Sequence, residues 1–167
     1  DKFFLTHLHS DHVVGIPDLW LSGWVMGRET PFRIWGPSGT ADMMGHLEKA
    51  YQADIHIRRD LDEKFPADGI AVEATDTQQG FVYQENGVKI TTFDVDHGHV
   101  KPAFGYRIDY EGRSVVLSGD TRYSENLIKY AQGADLLIHE VVAPESVRAR
   151  RAAVGRDPGE SERIIQH

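Results

Sequence analysis

Four side chains of the kinds that bind metal ions fall within six residues near the start of the chain. They lie in the stretch Thr6-His7-Leu8-His9-Ser10-Asp11-His12. The apolar residues before this cluster predict a buried strand over residues 2–6, and the apolar spacing after it predicts a helix over residues 14–26 that is irregular near Gly15 and Gly23. The chain is therefore expected to place a strand end directly at the four side chains.

The spacing of the four side chains suits two neighbouring cations. In an extended segment His7 and His9 point to the same side, because side chains alternate with a period of two. Two imidazoles on one side of a strand end can bind one metal ion. Asp11 and His12 follow as the chain turns into the helix, so they can face a second point a few ångströms away.

Further potential ligands follow later strands of the sequence. We expect strand ends just before His97 and Asp120 and a strand that ends at His139, and loops at one edge of a sheet are a usual place for a binding site. His99 could face the same point as His97. The two oxygens of Asp120 could bridge two ions, although the sequence Gly-Asp-Thr is also good turn chemistry.

Two other histidines are better explained without a metal. His46 is predicted to lie in a helix and His56 in a polar strand. A single histidine outside a cluster is usually a hydrogen-bonded structural or surface residue. We interpret both in that way.

Length and composition exclude several classes of protein. The 167 residues suit a single domain over residues 1–167. The net charge of -8 argues against a generally basic nucleic-acid surface. Without cysteine there are no disulfides, thiolate metal sites or cysteine nucleophiles. No apolar run approaches the roughly 20 residues that span a bilayer, so we expect no membrane partner.

The ends of the sequence resemble those of an internal piece of a longer polypeptide. The chain begins without methionine on a predicted strand and stops within an apolar segment. A signal peptide would not be visible in such a piece. The compartment is therefore open, although we favour the cytoplasm, and a homodimer is one option for the oligomeric state.

The order of the predicted elements favours a layered α/β sandwich over a helical bundle, since strands first cluster and then alternate with helices. Helices are predicted at residues 14–26, 41–53 and 124–131 and again from residue 161. Strands are predicted at residues 2–6, 32–35, 88–95, 103–110, 114–118 and 135–139, with shorter ones near residues 55–57, 70–73 and 81–83.

Two smaller features allow two interpretations each. The helix predicted from residue 41 follows a glycine-bearing turn, which could hold a phosphate at the helix N-terminus or could use Ser38 or Thr40 as the N-cap. Trp20 and Trp24 could line an apolar pocket for an aryl group or could pack in the core. We favour the N-cap and the core.

The cluster His7-x-His9-x-Asp11-His12 resembles the signature of the metallo-β-lactamase-fold hydrolases. Four later stretches resemble the ribonuclease Z-like branch, which includes tRNA 3′-end processing nucleases, small phosphodiesterases and arylsulfatase-like enzymes. These are Asp96-His97-Gly98, the stretch from Ala103 to Ile108, Ser118-Gly119-Asp120-Thr121 and the stretch from Ala134 to Glu140. The resemblance implies an αββα sandwich of the metallo-β-lactamase type, here truncated at both ends.

Carried over residue by residue, the resemblance implies two Zn²⁺ ions, with Mn²⁺ as a further possibility. His7, His9 and His97 would bind one ion, Asp11 and His12 the other, and Asp120 would bridge them. The family pattern places His97, not His99, in this set. His139-Glu140 matches a family pair that orients a ligand without binding the metal itself.

Two departures from the family pattern bear on function. No downstream residue fits the family's final histidine ligand except His167, which comes too early. The interval between His97 and Asp120 holds two predicted strands and a tight turn. It therefore lacks room for the long arm that grips tRNA in the processing enzymes, which disfavours tRNA as the substrate.

The resemblance implies a ribonuclease Z-like phosphodiesterase in which a hydroxide bridging two zinc ions, with a pKa lowered toward about 7, attacks a small-molecule or nucleotide phosphodiester or ester. Asp11 would act in catalysis by holding that hydroxide and steering its proton. No Ser-His-Asp arrangement is evident. The alternatives are an arylsulfatase-like or other ester or lactone hydrolase, and a non-catalytic metal-binding domain of the same fold.

Overall fold

The computed structural model describes residues 2–166, and the chain divides into two compact units. The N-terminal unit comprises residues 1–78 and the C-terminal unit residues 79–167. Each unit has its own sheet with helices, so the α/β class is confirmed. The single domain over residues 1–167 stays a prediction.

The N-terminal unit is built on a three-stranded parallel sheet. Its order is β1 (Lys2–Phe4), β2 (Phe32–Gly36) and β3 (Val72–Asp76). Parallel neighbours need crossover connections, and helices supply them. These are α1 (Ser10–Val13), α2 (Ile16–Val25), α3 (Thr40–Ala50), α4 (Gln52–His56), a π-helical turn (Ile57–Leu61) and α5 (Ala67–Ile70).

Two tryptophans of α2 form the centre of the N-terminal core. Trp20 and Trp24 are fully buried. Their indole N–H groups donate to the backbone oxygens of Ile70 and Pro66, both at 2.9 Å. Core packing is therefore confirmed, and the interpretation of these rings as the lining of an aryl pocket is wrong. The other buried residues of this core are Ile16, Phe32, Ile34, Met44, Ile55 and Ile70.

The N-terminus of α3 is capped from a distant strand. The two carboxylate oxygens of Asp76 accept hydrogen bonds from the N–H groups of Gly39 and Ala41, both at 2.9 Å. Neither Ser38 nor Thr40 caps the helix through its side chain, which corrects the prediction. The phosphate interpretation is wrong as well, because the Asp76 carboxylate already satisfies the donors that an anion would use.

The predicted strand near residues 55–57 is wrong, because this segment belongs to α4 and the π-helical turn. His56 is thus helical, and its Nδ1 lies 2.8 Å from an Asp60 oxygen. His46 lies on the exposed side of α3, with its Nδ1 2.9 Å from the backbone oxygen of Asp42. The interpretation of both histidines as structural or surface residues is confirmed.

The C-terminal unit is built on a five-stranded sheet. All neighbouring strands are antiparallel except the last pair, which is parallel. In spatial order the strands are β4 (Val82–Glu85), β5 (Val88–Asp94), β6 (Phe104–Tyr110), β7 (Arg113–Leu117) and β8 (Leu136–Ile138).

One helix packs on this sheet, and its N-cap was predicted from sequence. Helix α6 (Glu125–Ala131) begins after Ser124, whose hydroxyl accepts from the N–H of Leu127 at 3.2 Å. Leu127 is buried with Phe93 and Val116. The ring of Phe93 stacks on Tyr130 with 4.6 Å between centroids.

The remaining elements of the C-terminal unit are more exposed. Helices α7 (Pro144–Ala153) and α8 (Pro158–Ile165) are joined by ion pairs, including Arg148 to Glu162 at 2.7 Å. Strand β8 lies at the edge of the sheet, and its three aliphatic side chains are 44–51% exposed. Among residues 2–166 no helix is long and apolar enough to cross a membrane.

Candidate metal centre

The segment after β1 is held against the end of β2. The N–H of Leu5 donates to the backbone oxygen of Trp35 at 2.8 Å, which extends the strand contact. Next to it, a Cβ on Gly36 would lie 2.5 Å from the Thr40 hydroxyl and 2.9 Å from the Leu5 side chain. Only glycine fits at this position without a movement of the neighbouring side chains. The close packing restrains the backbone that leads to His7.

The three early histidines converge on a buried ring. His7 is 1% exposed. Its ring centroid lies 4.9 Å from that of His9 and 4.2 Å from that of His12. A nitrogen of His7 lies within 4.8 Å of a nitrogen of each of the other two rings. The sequence prediction that these side chains gather at the end of β1 is therefore reproduced within the N-terminal unit.

A neighbouring hydroxyl orients the His7 ring. The Nδ1 atom lies 3.0 Å from the Thr6 hydroxyl. When Nδ1–H donates to that oxygen, the ring is fixed in the tautomer whose Nε2 carries the lone pair that a metal needs. A residue adjacent in sequence thus prepares His7 to act as a ligand.

The turn into α1 carries the second pair of candidate ligands, Asp11 and His12. His9 keeps an extended backbone, with φ of -62° and ψ of 143°, and α1 begins at Ser10. Asp11 is 79% exposed at its side chain, and one of its oxygens lies 3.6 Å from Nε2 of His12. The carboxylate therefore stands in solvent beside an imidazole, where it is able to accept a proton or bind a cation.

In the C-terminal unit, three strands end at the same edge of the sheet. Strands β5 and β7 both run antiparallel to β6, and β8 runs parallel to β7. Their carboxyl ends consequently lie side by side. His97 follows β5 and Asp120 follows β7, as predicted from the sequence. His139 lies one residue beyond β8, whereas the sequence predicts it as the last residue of that strand.

Hydrogen bonds join the loop after β5 to the loop after β7. The backbone oxygen of Asp96 accepts from the N–H of Arg122 at 2.7 Å and from the Thr121 hydroxyl at 3.3 Å. Its carboxylate accepts from the N–H of Gly98 at 3.0 Å. The loop that contains His97 is thereby held to the loop that contains Asp120.

A second set of hydrogen bonds adds the end of β8. The carboxylate of Glu140 accepts from the N–H of Thr121. The N–H of Glu140 donates to the Ser118 hydroxyl at 3.1 Å. Glu140 therefore holds the backbone on both sides of Asp120, which agrees with the orienting role that the family resemblance implies for the pair His139-Glu140.

Burial separates the histidines of the C-terminal unit. His97 is 3% exposed, whereas His99 and His139 are exposed. The Nδ1 of His139 lies 2.8 Å from the backbone oxygen of Glu140. His97 is thus the one of these three that sits inside the fold. His167 lies outside the described residues.

The donor set suits zinc. Imidazole nitrogens and carboxylate oxygens are ordinary zinc ligands, and the chain has no thiolate to compete with them. Among the residues predicted as ligands, the N-terminal unit contains three imidazoles and one carboxylate, and the C-terminal unit contains one of each. Sequence reasoning missed Ser118, Thr121 and Arg122, because hydroxyl and guanidinium contacts between loops have no periodic signal.

The sequence of the chain matches a family model and several ribonuclease Z sequences. A family model described as the β-lactamase superfamily domain matches residues 1–158. A ribonuclease Z of Mycolicibacterium gilvum (strain PYR-GCK) is 37% identical over 152 residues, which cover 87% of this chain and 51% of that protein. The chain thus spans about half the length of this relative.

Solved structures match in fold. The metallo-β-lactamase fold protein YhfI of Bacillus subtilis has a TM-score of 0.56 at 23% identity, covering 82% of this chain and 48% of that one. The short form of human tRNase Z has a TM-score of 0.61 at 21% identity, covering 98% of this chain and 66% of that one. At these identities the matches show the fold, and they confirm the predicted metallo-β-lactamase type.

Proposed function

The chain belongs to the family of β-lactamase superfamily domains, and on this basis we propose that the full-length protein is a ribonuclease Z-like, zinc-dependent hydrolase of phosphodiesters. The observation that carries the proposal is the convergence of His9 and His12 on the buried ring of His7. Three imidazoles that gather at a strand end are the kind of donor group that zinc binds. The names of the sequence relatives support the ribonuclease Z-like class.

The proposed ligands are the six residues named from sequence. His7, His9 and His97 hold one zinc ion, Asp11 and His12 hold a second, and Asp120 contributes to both. The support is the arrangement within each unit. Buried His7 anchors the first set, and the hydrogen-bonded loops after β5 and β7 present His97 and Asp120 at one sheet edge.

Zinc, when bound, would lower the pKa of a water toward neutral pH, and it would stabilise negative charge on the substrate. The chain's own residues orient the reactants around it. The exposed carboxylate of Asp11 accepts or steers the proton of the attacking water. Thr6 fixes the ring of His7. Glu140 fixes the backbone beside Asp120, which would limit the movement of this proposed ligand.

The segment between His97 and Asp120 supports a proposal for the substrate class. Strands β6 and β7 and the turn at Glu111-Gly112 fill the interval between His97 and Asp120. That interval leaves no long arm for gripping tRNA, so we propose a small-molecule or nucleotide phosphodiester. The arylsulfatase-like alternative loses its main sequence support, because Trp20 and Trp24 are buried in the core.

The test uses full-length protein and bis(4-nitrophenyl) phosphate. We expect about two zinc ions per chain and turnover that a chelator removes and zinc or manganese restores. His7→Ala should lose zinc and lower kcat/KM by at least about a hundredfold. His46→Ala is the matched control and should behave as wild type, because His46 is exposed on α3.

Two results would contradict the proposal. One is the absence of phosphodiester turnover with either metal, and the other is full activity in His7→Ala. A non-catalytic domain would bind zinc through His7 without turning over substrate. A homodimer and a cytoplasmic location stay predictions, which gel filtration and cell fractionation would check.

A further inference from the structure

Arg122 lies against the loop that carries His97. Its backbone N–H donates to the oxygen of Asp96 at 2.7 Å. Its side chain crosses Gly98, where a Cβ would lie 3.0 Å from Nη2 and 3.5 Å from Nη1. Gly98 has φ of +64°, a conformation that favours glycine. The absence of a side chain at Gly98 therefore makes room for the guanidinium group.

The guanidinium group is anchored on one side and open on the other. Its Nε donates to the backbone oxygen of Gln166 at 2.7 Å. Within residues 2–166, neither Nη atom is paired with an acceptor, and the side chain is exposed. Several other arginines of the C-terminal unit differ in this respect, since Arg113, Arg148 and Arg151 each face a carboxylate.

We propose that the Nη atoms of Arg122 bind a non-bridging oxygen of a substrate phosphate group. This inference rests on the proposed function, which makes the substrate a phosphodiester. The planar fork of a guanidinium matches two phosphate oxygens in geometry and charge. A protein with a net charge of -8 also needs local positive charge to attract a polyanion.

A purely structural role makes a different prediction. As a clamp, Arg122 would act through the contact of its guanidinium group with Gly98 and the bond from Nε to Gln166, so its loss would lower stability and leave the salt dependence of binding unchanged. As a phosphate ligand it acts through its charge, so its loss makes the salt dependence shallower. Arg122→Met keeps most of the stem and removes the charge, whereas Arg122→Lys keeps the charge and loses the fork.

The matched control lies at the other end of the same strand. Arg113 begins β7, and Arg122 lies in the loop after that strand ends. Arg113→Met makes the same change of charge at the opposite edge of the sheet. Its side chain is 81% exposed, so the fold should tolerate the substitution.

The experiment measures binding of a short fluorescein-labelled single-stranded RNA to chelator-treated full-length protein by anisotropy, over a series of salt concentrations. Arg122→Met should weaken binding about tenfold and make the slope of log K against log salt shallower by ~0.7. Arg122→Lys keeps the charge but loses the fork, so it should keep the salt slope of wild type and have an affinity between those of wild type and Arg122→Met. Arg113→Met should match wild type.

Three results would overturn the inference: no RNA binding by wild type, unchanged binding in Arg122→Met, or an equal loss in Arg113→Met. Loss of melting temperature and zinc in both Arg122 variants, with an unchanged salt slope, would establish the clamp instead. Turnover of bis(4-nitrophenyl) phosphate is measured in parallel. If RNA binding depends on Arg122 but the protein does not turn over the substrate, only the proposed hydrolase function is refuted. If the protein turns over the substrate but RNA binding does not depend on Arg122, only the proposed phosphate contact is refuted.

Discussion

The carboxylate of Glu140 accepts a hydrogen bond from the backbone N–H of Thr121, the residue that follows Asp120. The N–H of Glu140 in turn donates to the Ser118 hydroxyl. The two bonds tie the end of β8 to both flanks of Asp120. The carboxylate that we propose as a metal ligand is thus flanked by backbone that a second carboxylate holds in place.

Replacing Glu140 should therefore weaken the metal site without unfolding the protein. We expect Glu140→Ala to lower zinc affinity or kcat by about 10- to 100-fold, the usual effect of losing a group that orients a ligand. Glu140→Gln retains an acceptor oxygen and should recover part of the loss. Zinc titration and kcat would be measured, with exposed Glu145→Ala as the control. Equal zinc affinity in Glu140→Ala and wild type would refute the role.

The cap of α3 by Asp76 can be tested through stability. Asp76→Ala leaves the N–H groups of Gly39 and Ala41 without their acceptor, so we expect a loss of about 1–2 kcal/mol in the free energy of unfolding. Asp42→Ala removes a carboxylate from the first turn of the same helix, but one that is 82% exposed. It should cost only a few tenths of a kcal/mol. Urea unfolding compares them, and equal losses would contradict the cap.

Two glycines should respond in opposite directions to alanine. At Gly105 a Cβ would lie 2.4 Å from the buried ring of Phe93, which stacks on Tyr130. Gly105→Ala should therefore destabilise the protein by about 1–3 kcal/mol or more. At Gly45, inside α3, nothing lies within 4 Å. Gly45→Ala should stabilise by about 0.5–1 kcal/mol. Thermal unfolding gives both signs, and a stable Gly105→Ala variant would be the contrary result.

Asp135 should make stability depend on pH in the acid range. The Arg113 guanidinium, and then the N–H of Ser114, hold the pKa of the Asp135 carboxyl below its usual value. A lowered pKa in the folded state adds stability above the unfolded pKa, about 3.9, and this stability is lost as the pH falls through the folded pKa.

Asp135→Asn should accordingly have a lower melting temperature than wild type at pH 7, with a difference that shrinks below about pH 4. Arg113→Met removes the main cause of the shift and should reduce the pH dependence in part. Melting temperatures measured from pH 7 down to pH 3 test this. A difference that is the same at both ends of the range would exclude the mechanism.

The ligand cluster was predictable because its signal is local. Alternation in an extended segment places His7 and His9 together, and the turn into a helix follows within three residues. The ends of the strands before His97 and Asp120 were also predictable from the sequence, because runs of β-branched and apolar residues stop there. The helix cap at Ser124 belongs to the same class of short-range signals.

The features that sequence analysis did not predict correctly depend on residues that are distant in sequence. The segment at residues 55–57 has apolar residues two apart, which suits a strand, yet Ile55 fills the N-terminal core as part of a helix. A short apolar run does not distinguish the helical period of about 3.6 residues from the strand period of two residues. Asp76 caps a helix 35 residues earlier, and no local pattern announces such a contact. Arg122 lies over Gly98 because the loop after β5 meets the loop after β7. The topology of the sheet brings these two loops together.

Strand β8 has a practical consequence for anyone who handles this polypeptide by itself. It pairs only with β7 within the described residues, and Leu136, Leu137 and Ile138 are about half exposed. An open backbone edge with aliphatic side chains is a template on which another chain can add a strand. The isolated 167 residues should therefore aggregate as their concentration rises. A lysine in place of Leu137 would counteract that tendency, because a charge on an edge strand discourages a second chain from pairing with it.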